Sequence, residues 1–526
     1  MRRLLPLLLC LCSVGGVSAQ ERSLFDSLQY RAEMQGTLAG GDHSPLWLNA
    51  NKYGLSSLKK ANGYIRGAIM RPLSNDDGRR WGVGYGVDLA LAAGFTSTLV
   101  IQQAYIEARW LKGVLTVGAK EQPMELKNQE LSSGSQTLGI NARPVPQVRI
   151  ALPDYWSIPG TRNWLALKGH IAYGMTTDDR WQKDFKAPDT RYTENTLYHS
   201  KAGYLRIGPK NITFELGLEM ASQLGGKSYV EITPGNWGWV SNESGFKSFW
   251  HAFVPGGGES DETTYRNASG NILGSWVARF NYDARNWAIS AYIDHYFEDH
   301  SSMFMLDYDG YGEGEEWNTR KKSKYLLYDF KDMLLGLELK LKQNDWLNDI
   351  VLEYIYTKYQ SGPVYHDRTK AFSDHIGGND NYYNHHIFTG WQHWGQVMGN
   401  PLYLSPLYND NGHIYVANNR FVAWHLGIGG NPVSSLGYRF LATYQTGLGT
   451  YDDPYTSPQY DLSLLAEVSW RLKGGWNLSG GFGMDKGKLR GENYGVQFTL
   501  VKTGIIRKCK KYFIYSQHCY CSVHAI

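Results

Sequence analysis

The chain has 526 residues, of which 42% are hydrophobic and 14% aromatic, and its formal net charge is +4. Two arginines in the first nineteen residues and four basic residues after residue 506 carry this excess, so the stretch between them has a net charge of −2. A nearly neutral body lacks the basic surface that nucleic-acid binding requires. Beyond the N-terminus no apolar run approaches the ~18 residues of a membrane helix, which excludes a helical membrane protein.

The first nineteen residues have the pattern of a secretory signal. Arg2 and Arg3 precede an apolar run over 4–11, and the small residues Val-Ser-Ala occupy 17–19. A basic start, an apolar centre and a small-residue end are the three parts of such a signal. We therefore predict a signal peptide over 1–19 with cleavage after residue 19.

The dominant pattern after the signal is an alternation of apolar and polar residues, which places successive side chains on opposite faces of a strand. Ile212, Phe214 and Leu216, for example, alternate with Thr213 and Glu215. Strands are predicted near 63–72, 81–93, 98–111, 113–120, 164–175, 198–208, 211–220, 275–283, 286–297, 332–342, 348–360, 421–429, 436–446, 461–471, 475–484 and 493–503. With weaker candidates the total is about sixteen to eighteen strands, each near the ~9–11 residues of a tilted membrane strand.

A soluble sheet protein shows the same alternation, but one of this length should divide into domains. No Pro/Ser-rich or charged linker interrupts 20–506. Long segments rich in aromatic, Gly and Asn residues alternate with short turns, as at the two ends of a barrel. We therefore predict an all-β fold over 20–506: a single transmembrane antiparallel β-barrel with long loops on one side.

Residues 131–150, LSSGSQTLGINARPVPQVRI, interrupt the strand series with Ser, Gly and Pro. Pro144 and Pro146 each remove a backbone donor and favour extended or turn structure before them. We predict that the stretch enters the lumen and constricts it, and that Asn141 and Arg143 pair with inward carboxylates. A plain surface loop is the alternative.

Two aromatic groups are candidates for contacts with a carbohydrate, because a sugar ring can lie flat on an aromatic face. One is the string HHIFTGWQHW, and the other lies in the long segment 222–271. The candidate contacts are Trp391, His393, Trp394 and His385 in the first group and Trp237 and Trp239 in the second. The alternatives are an ordinary packed loop for the first group and an interfacial anchor for the second. No metal site is predicted, since carboxylate or thiolate partners at a defined spacing are not evident.

The body contains no G-x-S-x-G elbow, Walker loop, H-E-x-x-H pair or cysteine nucleophile. We therefore predict no catalytic residues and no cofactor. A site assembled from separate strands would escape such a scan, so an enzyme stays open as an alternative.

The last twenty residues, 507–526, differ in composition from everything before them. They are basic and contain Cys509, Cys519 and Cys521, whereas 13–508 contain no cysteine. The closing strand of a barrel should end the chain near Ile506. We interpret 507–526 as an atypical tail, produced by a frameshift, by read-through or as a divergent extension.

Several motifs resemble those of the Wzi-type capsule-assembly outer-membrane proteins. They are HSPLWLNANKYGLSS (43–57), GYGVDLA (84–90), QQAYIEARW (102–110), GAKEQ (118–122), LSSGSQTLGINARPVPQV (131–148) and LYHSKAGYLRIG (197–208). The resemblance implies an eighteen-stranded barrel of the bacterial outer membrane that is not an open pore. It also implies a non-enzymatic, lectin-like protein that binds capsular polysaccharide and takes part in capsule assembly or surface attachment.

The family is also associated with a helical plug at the periplasmic end, and here only 23–36 could form a short helix before His43. The expected partners are capsular polysaccharide and outer-membrane lipid, with no nucleic acid, and we expect a monomer. Two other functions stay open. A solute-diffusion porin would conduct ions in planar bilayers, and an outer-membrane enzyme would gather Ser, His or Asp residues at the barrel rim.

Overall fold

The computed structural model describes residues 24–253, 270–298, 314–316, 318–319, 330–362, 364–366, 375–377, 379–506 and 523–524. The predicted signal peptide and most of the predicted tail lie outside these residues and stay predictions. Val523–His524 is a two-residue strand that pairs with Ile505 and Ile506.

Eighteen antiparallel strands close into one barrel, because the first strand pairs with both the second and the last. The strands are β1 (Leu28–Gly40), β2 (Ala61–Arg71), β3 (Trp81–Ala93), β4 (Leu99–Trp110), β5 (Gly113–Ala119), β6 (Gln147–Ser157), β7 (Leu165–Met175), β8 (Leu197–Ile207), β9 (Ile212–Leu224), β10 (Asn271–Asp283), β11 (Trp287–Glu298), β12 (Met333–Leu341), β13 (Asp349–Tyr356), β14 (Phe421–Val433), β15 (Leu436–Gly449), β16 (Pro454–Leu472), β17 (Trp476–Gly487) and β18 (Asn493–Ile506). The predicted all-β fold with a single antiparallel barrel is confirmed.

Short elements occupy the loops. The helices are α1 (Leu46–Asn49), α2 (Asp179–Phe185) and α3 (Phe246–Phe253), with 3-10 turns at Leu73–Asp76, Gly314–Glu316 and Pro406–Tyr408. Three small sheets lie in the loops. In the first, Lys227–Thr233 pairs with Tyr192–Glu194 on one side and with Asn236–Ser241 on the other. The other two have two strands each: Val364–His366 with His375–Gly377, and Gln392–His393 with Gln396–Val397. Among the described residues, no helix has the length and apolar character needed to cross a membrane.

The strand alternation gives the barrel an apolar outer surface and a polar inner wall. In β18, Tyr494 and Phe498 are 61% and 62% exposed, whereas Asn493 and Gln497, each directly before one of them, are buried. Large exposed apolar side chains recur around the barrel, including Ile65, Leu91, Ile106, Ile150, Leu216, Leu337 and Phe482. Such a surface is unfavourable in water and suits the hydrocarbon core of a bilayer.

The two ends of the barrel differ in the length of their connections. At one end, turns such as 284–286 and 473–475 are short, and Leu28 of the first strand pairs with Ile506 of the last. Exposed tryptophans ring this end, among them Trp81, Trp110, Trp156, Trp164, Trp287, Trp470 and Trp476. Outer-membrane barrels have short periplasmic turns, aromatic girdles and longer extracellular loops. The long loops therefore face the cell surface.

The structure decides two points of local conformation that the sequence left open or placed differently. Within the described residues the stretch 23–36, which could have formed a short helix, instead contributes to a strand: Leu28–Gly40 forms β1, with Glu33 and Gln35 buried in the lumen and Met34 exposed outward. The non-strand stretch 131–150 is shorter than predicted, since β6 begins at Gln147. In both places an alternation of inward and outward side chains determines the conformation.

Candidate functional site

Three segments from the long-loop end turn into the barrel and fill it. We call 41–60, 120–146 and 379–419 together the plug. A continuous cluster of buried apolar side chains joins all three segments to the inner wall, with Leu48, Leu131 and Trp391 among its members. The barrel interior over these residues is therefore packed in the manner of a protein core.

The first plug segment is held by α1. The backbone N–H of Leu46 donates to the Asp485 carboxylate at 3.0 Å, and the Trp47 indole donates to Thr443 Oγ1 at 3.2 Å. The Trp47 ring also packs against His425, with ring centroids 4.9 Å apart. These partners are inward side chains of β14, β15 and β17, so α1 is fixed to one side of the lumen.

The second plug segment bonds to inward acidic residues of β11 and β13. Lys127 Nζ lies 2.6 Å from Asp294 Oδ2, and the two side chains are 1% and 0% exposed. The backbone N–H of Gln136 donates to the same carboxylate at 3.0 Å, and that of Ser133 donates to Glu353 at 2.7 Å. Buried carboxylates need such partners, because an unpaired buried charge is costly.

The four predicted constriction residues lie in or beside this lumenal segment. Asn141 Nδ2 donates to the Val397 carbonyl at 3.0 Å, and Arg143 donates to Thr96 Oγ1 at 2.7 Å and Ser97 Oγ at 2.9 Å. The expectation that they pair with inward carboxylates is therefore wrong, because Lys127 and backbone N–H groups occupy that role. Pro144 and Pro146 are half-buried at the end of the segment. Their role in blocking transport stays a prediction.

Two of the predicted polysaccharide contacts are packed inside the plug. Trp391 is 1% exposed, stacks on Tyr198 with centroids 5.7 Å apart, and donates its indole N–H to the Thr137 carbonyl at 3.0 Å. His393 is also 1% exposed, and burial lowers its pKa, so the ring is neutral at physiological pH. Its Nδ1 lies 2.8 Å from the Arg143 carbonyl, an arrangement that places the proton on Nδ1.

Trp394 occupies the surface end of the same hairpin. Its φ is +57° and that of Gly395 is +81°, which makes these two residues the turn between Gln392–His393 and Gln396–Val397. A tryptophan in the left-handed region carries backbone strain, and such strain is concentrated at functional sites. The partly exposed indole lies 4.4 Å from the Arg143 guanidinium in a cation–π contact.

His385 does not join this arrangement. Its ring stacks on His386, with centroids 4.3 Å apart, and packs against Phe388 at 5.3 Å. Burial and the nearby Arg191 guanidinium hold the His385 pKa well below its usual value. Of the first predicted group, Trp394 is therefore the residue whose ring makes a cation–π contact, with Arg143.

The second predicted group lies on a small sheet at the extracellular end, which we call the aromatic sheet (Tyr192–Glu194, Lys227–Thr233 and Asn236–Ser241). Trp239 is 45% exposed, and its ring makes a T-shaped contact with the Tyr192 ring, with centroids 5.1 Å apart. Trp237 stacks on Tyr229 at 5.9 Å. Lys186 Nζ lies 5.0 Å from the Tyr192 ring centre. The sheet therefore presents clustered aromatic rings with a cation beside them.

Helix α2 joins the two groups, a link that the sequence pattern did not indicate. Gln182 Oε1 accepts the backbone N–H of Thr193 in the aromatic sheet at 2.9 Å. Asp178, directly before α2, accepts the backbone N–H of Trp394 at 3.1 Å. Loop 176–196 therefore holds the aromatic sheet and the Trp394 turn in one assembly at the cell-surface end.

No family model and no curated protein matches this sequence. Among solved structures, the chain is similar to Wzi of Escherichia coli, an outer-membrane protein involved in group 1 capsule assembly and described as a carbohydrate-binding β-barrel. The TM-score is 0.52 at 12% identity, over 89% of this chain and 83% of Wzi. The chain is a multi-pass β-barrel of the bacterial outer membrane. Pseudomonas aeruginosa OprD aligns with a TM-score of 0.44 at 10% identity, over 93% of this chain and 97% of OprD.

Proposed function

We propose that this chain is a non-enzymatic outer-membrane barrel that binds capsular polysaccharide and takes part in capsule assembly or surface attachment. The observation that carries the proposal is the filled lumen, in which three loop segments pack against the wall and against one another. A barrel filled in this way is poorly suited to free diffusion of solutes. Its accessible chemistry lies instead on the extracellular loops.

The loop assembly around α2 has the chemistry that a polysaccharide requires. Trp239, Trp237 and Trp394 supply aromatic faces on which the apolar side of a sugar ring can lie. Lys186, over the Tyr192 ring of the aromatic sheet, favours a polymer with acidic groups. The buried Trp391 and His393 then hold the Trp394 turn rather than contacting the polymer. The structural similarity to Wzi supports the same ligand class.

The proposal is tested by deleting the gene in a capsulated strain and measuring cell-bound and released polysaccharide. We expect bound polysaccharide to fall and released polysaccharide to rise, with the total unchanged. Complementation with wild type or with Trp346→Ala restores retention, since Trp346 is 72% exposed at the periplasmic end. Complementation with the Trp237→Ala/Trp239→Ala double variant does not. Unchanged bound and released amounts after deletion contradict the proposal.

A further inference from the structure

A cavity of about 190 Å³ lies inside the barrel, between the plug and the wall made by β6, β7 and β8. The wall contributes Arg149, His170, Ser200 and Tyr204, and the plug contributes Gln122. This volume is smaller than the ~300–1,000 Å³ of pockets for drug-sized ligands and equals about six water molecules at ~30 Å³ each. It is of the size that one monosaccharide unit occupies.

The wall beside the cavity is irregular. In β6, Leu152 pairs with Gly169, whereas Trp156 pairs with Leu167, so three β6 residues lie opposite one residue of β7. Pro153, which has no N–H to donate to the ladder, begins this bulge and lines the cavity. Bulges are common beside functional sites, where they redirect side chains.

Most cations near the cavity already have partners. Lys120 Nζ lies 2.6 Å from Glu107, and Lys168 pairs with Glu125. The Arg143 guanidinium is turned away towards Thr96 and Ser97. The two lysines are therefore neutralised by carboxylates, whereas Arg143 keeps its charge but has both terminal nitrogens bonded to hydroxyls.

Arg149 is the exception. It lines the cavity, and within the described part of the chain its guanidinium makes no hydrogen bond or ion pair. Gln147, its neighbour on the same face of β6, has a buried Oε1 that also lacks a hydrogen-bond partner. Both groups carry a desolvation cost that a ligand would offset.

We propose that this cavity binds one saccharide unit that carries a single carboxylate, with the carboxylate on Arg149. A guanidinium matches a carboxylate with two parallel hydrogen bonds. A phosphate dianion would call for a second cation whose terminal nitrogens are free, whereas those of Arg143 are bonded to Thr96 and Ser97. Gln147 Oε1 accepts a hydrogen bond from a sugar hydroxyl. His170 Nε2 and Ser200 Oγ, which lie 3.3 Å apart, supply further polar contacts. The choice of a saccharide rests on the proposed function, whereas the choice of a monoanion rests on the charges alone.

Titration calorimetry of the full chain in detergent micelles tests the proposal, with galacturonate, galactose, acetate and inorganic phosphate as the four probes. We expect saturable binding of galacturonate. Galactose and acetate should each bind at least about 10-fold more weakly, because galactose lacks the charge-assisted contact of the carboxylate and acetate lacks the contacts of the hydroxyls. Phosphate is expected to be weaker than galacturonate. Arg149→Gln should weaken galacturonate binding by roughly 10-fold or more. Arg206→Gln is the matched control, because Arg206 lies on the same wall over the Tyr155 ring and does not line the cavity.

Three results would overturn the proposal: no galacturonate binding by wild type, equal binding by wild type and Arg149→Gln, or acetate or phosphate binding as tightly as galacturonate. Native electrophoretic mobility and circular dichroism establish that both variants fold. Capsule retention in cells is measured separately. If retention depends on the protein but galacturonate does not bind, this inference fails and the proposed function stands. If galacturonate binds but retention is independent of the protein, the proposed function fails and the site stands.

Discussion

Replacing Lys127 by methionine is expected to destabilise the barrel by about 3–5 kcal/mol, the usual cost of removing one partner of a buried ion pair. Lys127 is the cation that neutralises Asp294, and both side chains are inaccessible to water. Without it, the backbone N–H of Gln136 is the one hydrogen-bond donor left to Asp294 among the described residues. The measurement is urea-induced unfolding of the purified protein in lipid vesicles, followed by tryptophan fluorescence.

The control for Lys127→Met is Lys342→Met, which removes the same residue type from the exposed pair with Asp283. These side chains are 38% and 53% exposed, so we expect a change below about 1 kcal/mol. The double variant Lys127→Met/Asp294→Asn should recover part of the lost stability, because it removes the unpaired charge. A loss for Lys127→Met no larger than that of Lys342→Met would show that the pair does not anchor the plug.

Replacing residues 121–145 by a short Gly/Ser linker is expected to convert a silent barrel into a conducting one. The replacement is compatible with the fold because Gly118 of β5 pairs directly with Gln147 of β6. The deletion also removes two anchors of the third plug segment, since Thr137 accepts the Trp391 indole N–H and Gln136 accepts the Tyr383 hydroxyl. Current through planar bilayers is the measurement, with wild type giving no stable conductance.

A linker of the same type in place of 229–239 is the control for the plug deletion. This change removes the tip of the aromatic sheet, where Ser228 and Val240 are paired and can be rejoined. Because the aromatic sheet belongs to the extracellular loops, we expect no conductance. Porin-like conductance from wild type, or silence from a correctly folded plug deletion, would contradict the role given to the plug.

The strands were largely predictable because their pattern is local. The predicted bounds 81–93 for β3 agree with the structure, and the outward face of β18 follows the alternation of Tyr494 and Phe498 with inward polar residues. β1 was missed because Glu33 and Gln35 are polar residues of a lumenal face, which a helix surface can equally contain. Period two and period 3.6 are hard to separate in so short a stretch.

The interior of the barrel was much less predictable, since its contacts join distant parts of the chain. Lys127 and Asp294 are 167 residues apart, and Trp391 and Thr137 are 254 apart. The string HHIFTGWQHW gives no local sign that Trp391 is buried while Trp394 reaches the surface. In the structure, Trp394 has a positive φ and precedes a glycine, and this turn conformation distinguishes its position from that of Trp391. Trp237 and Trp239 were picked out as an aromatic pair, but the small sheet that holds them was not predicted.

The extracellular aromatic surface of a filled barrel is proposed to hold capsular polysaccharide. The decisive measurement is binding of capsular polysaccharide, purified from the source strain, to the full chain in lipid vesicles. We expect saturable binding by wild type and by Trp346→Ala. Binding by Trp237→Ala/Trp239→Ala should be at least about 10-fold weaker, because two stacking rings are lost. Absence of polysaccharide binding by folded wild type, or equal binding by the double variant, would contradict this proposal.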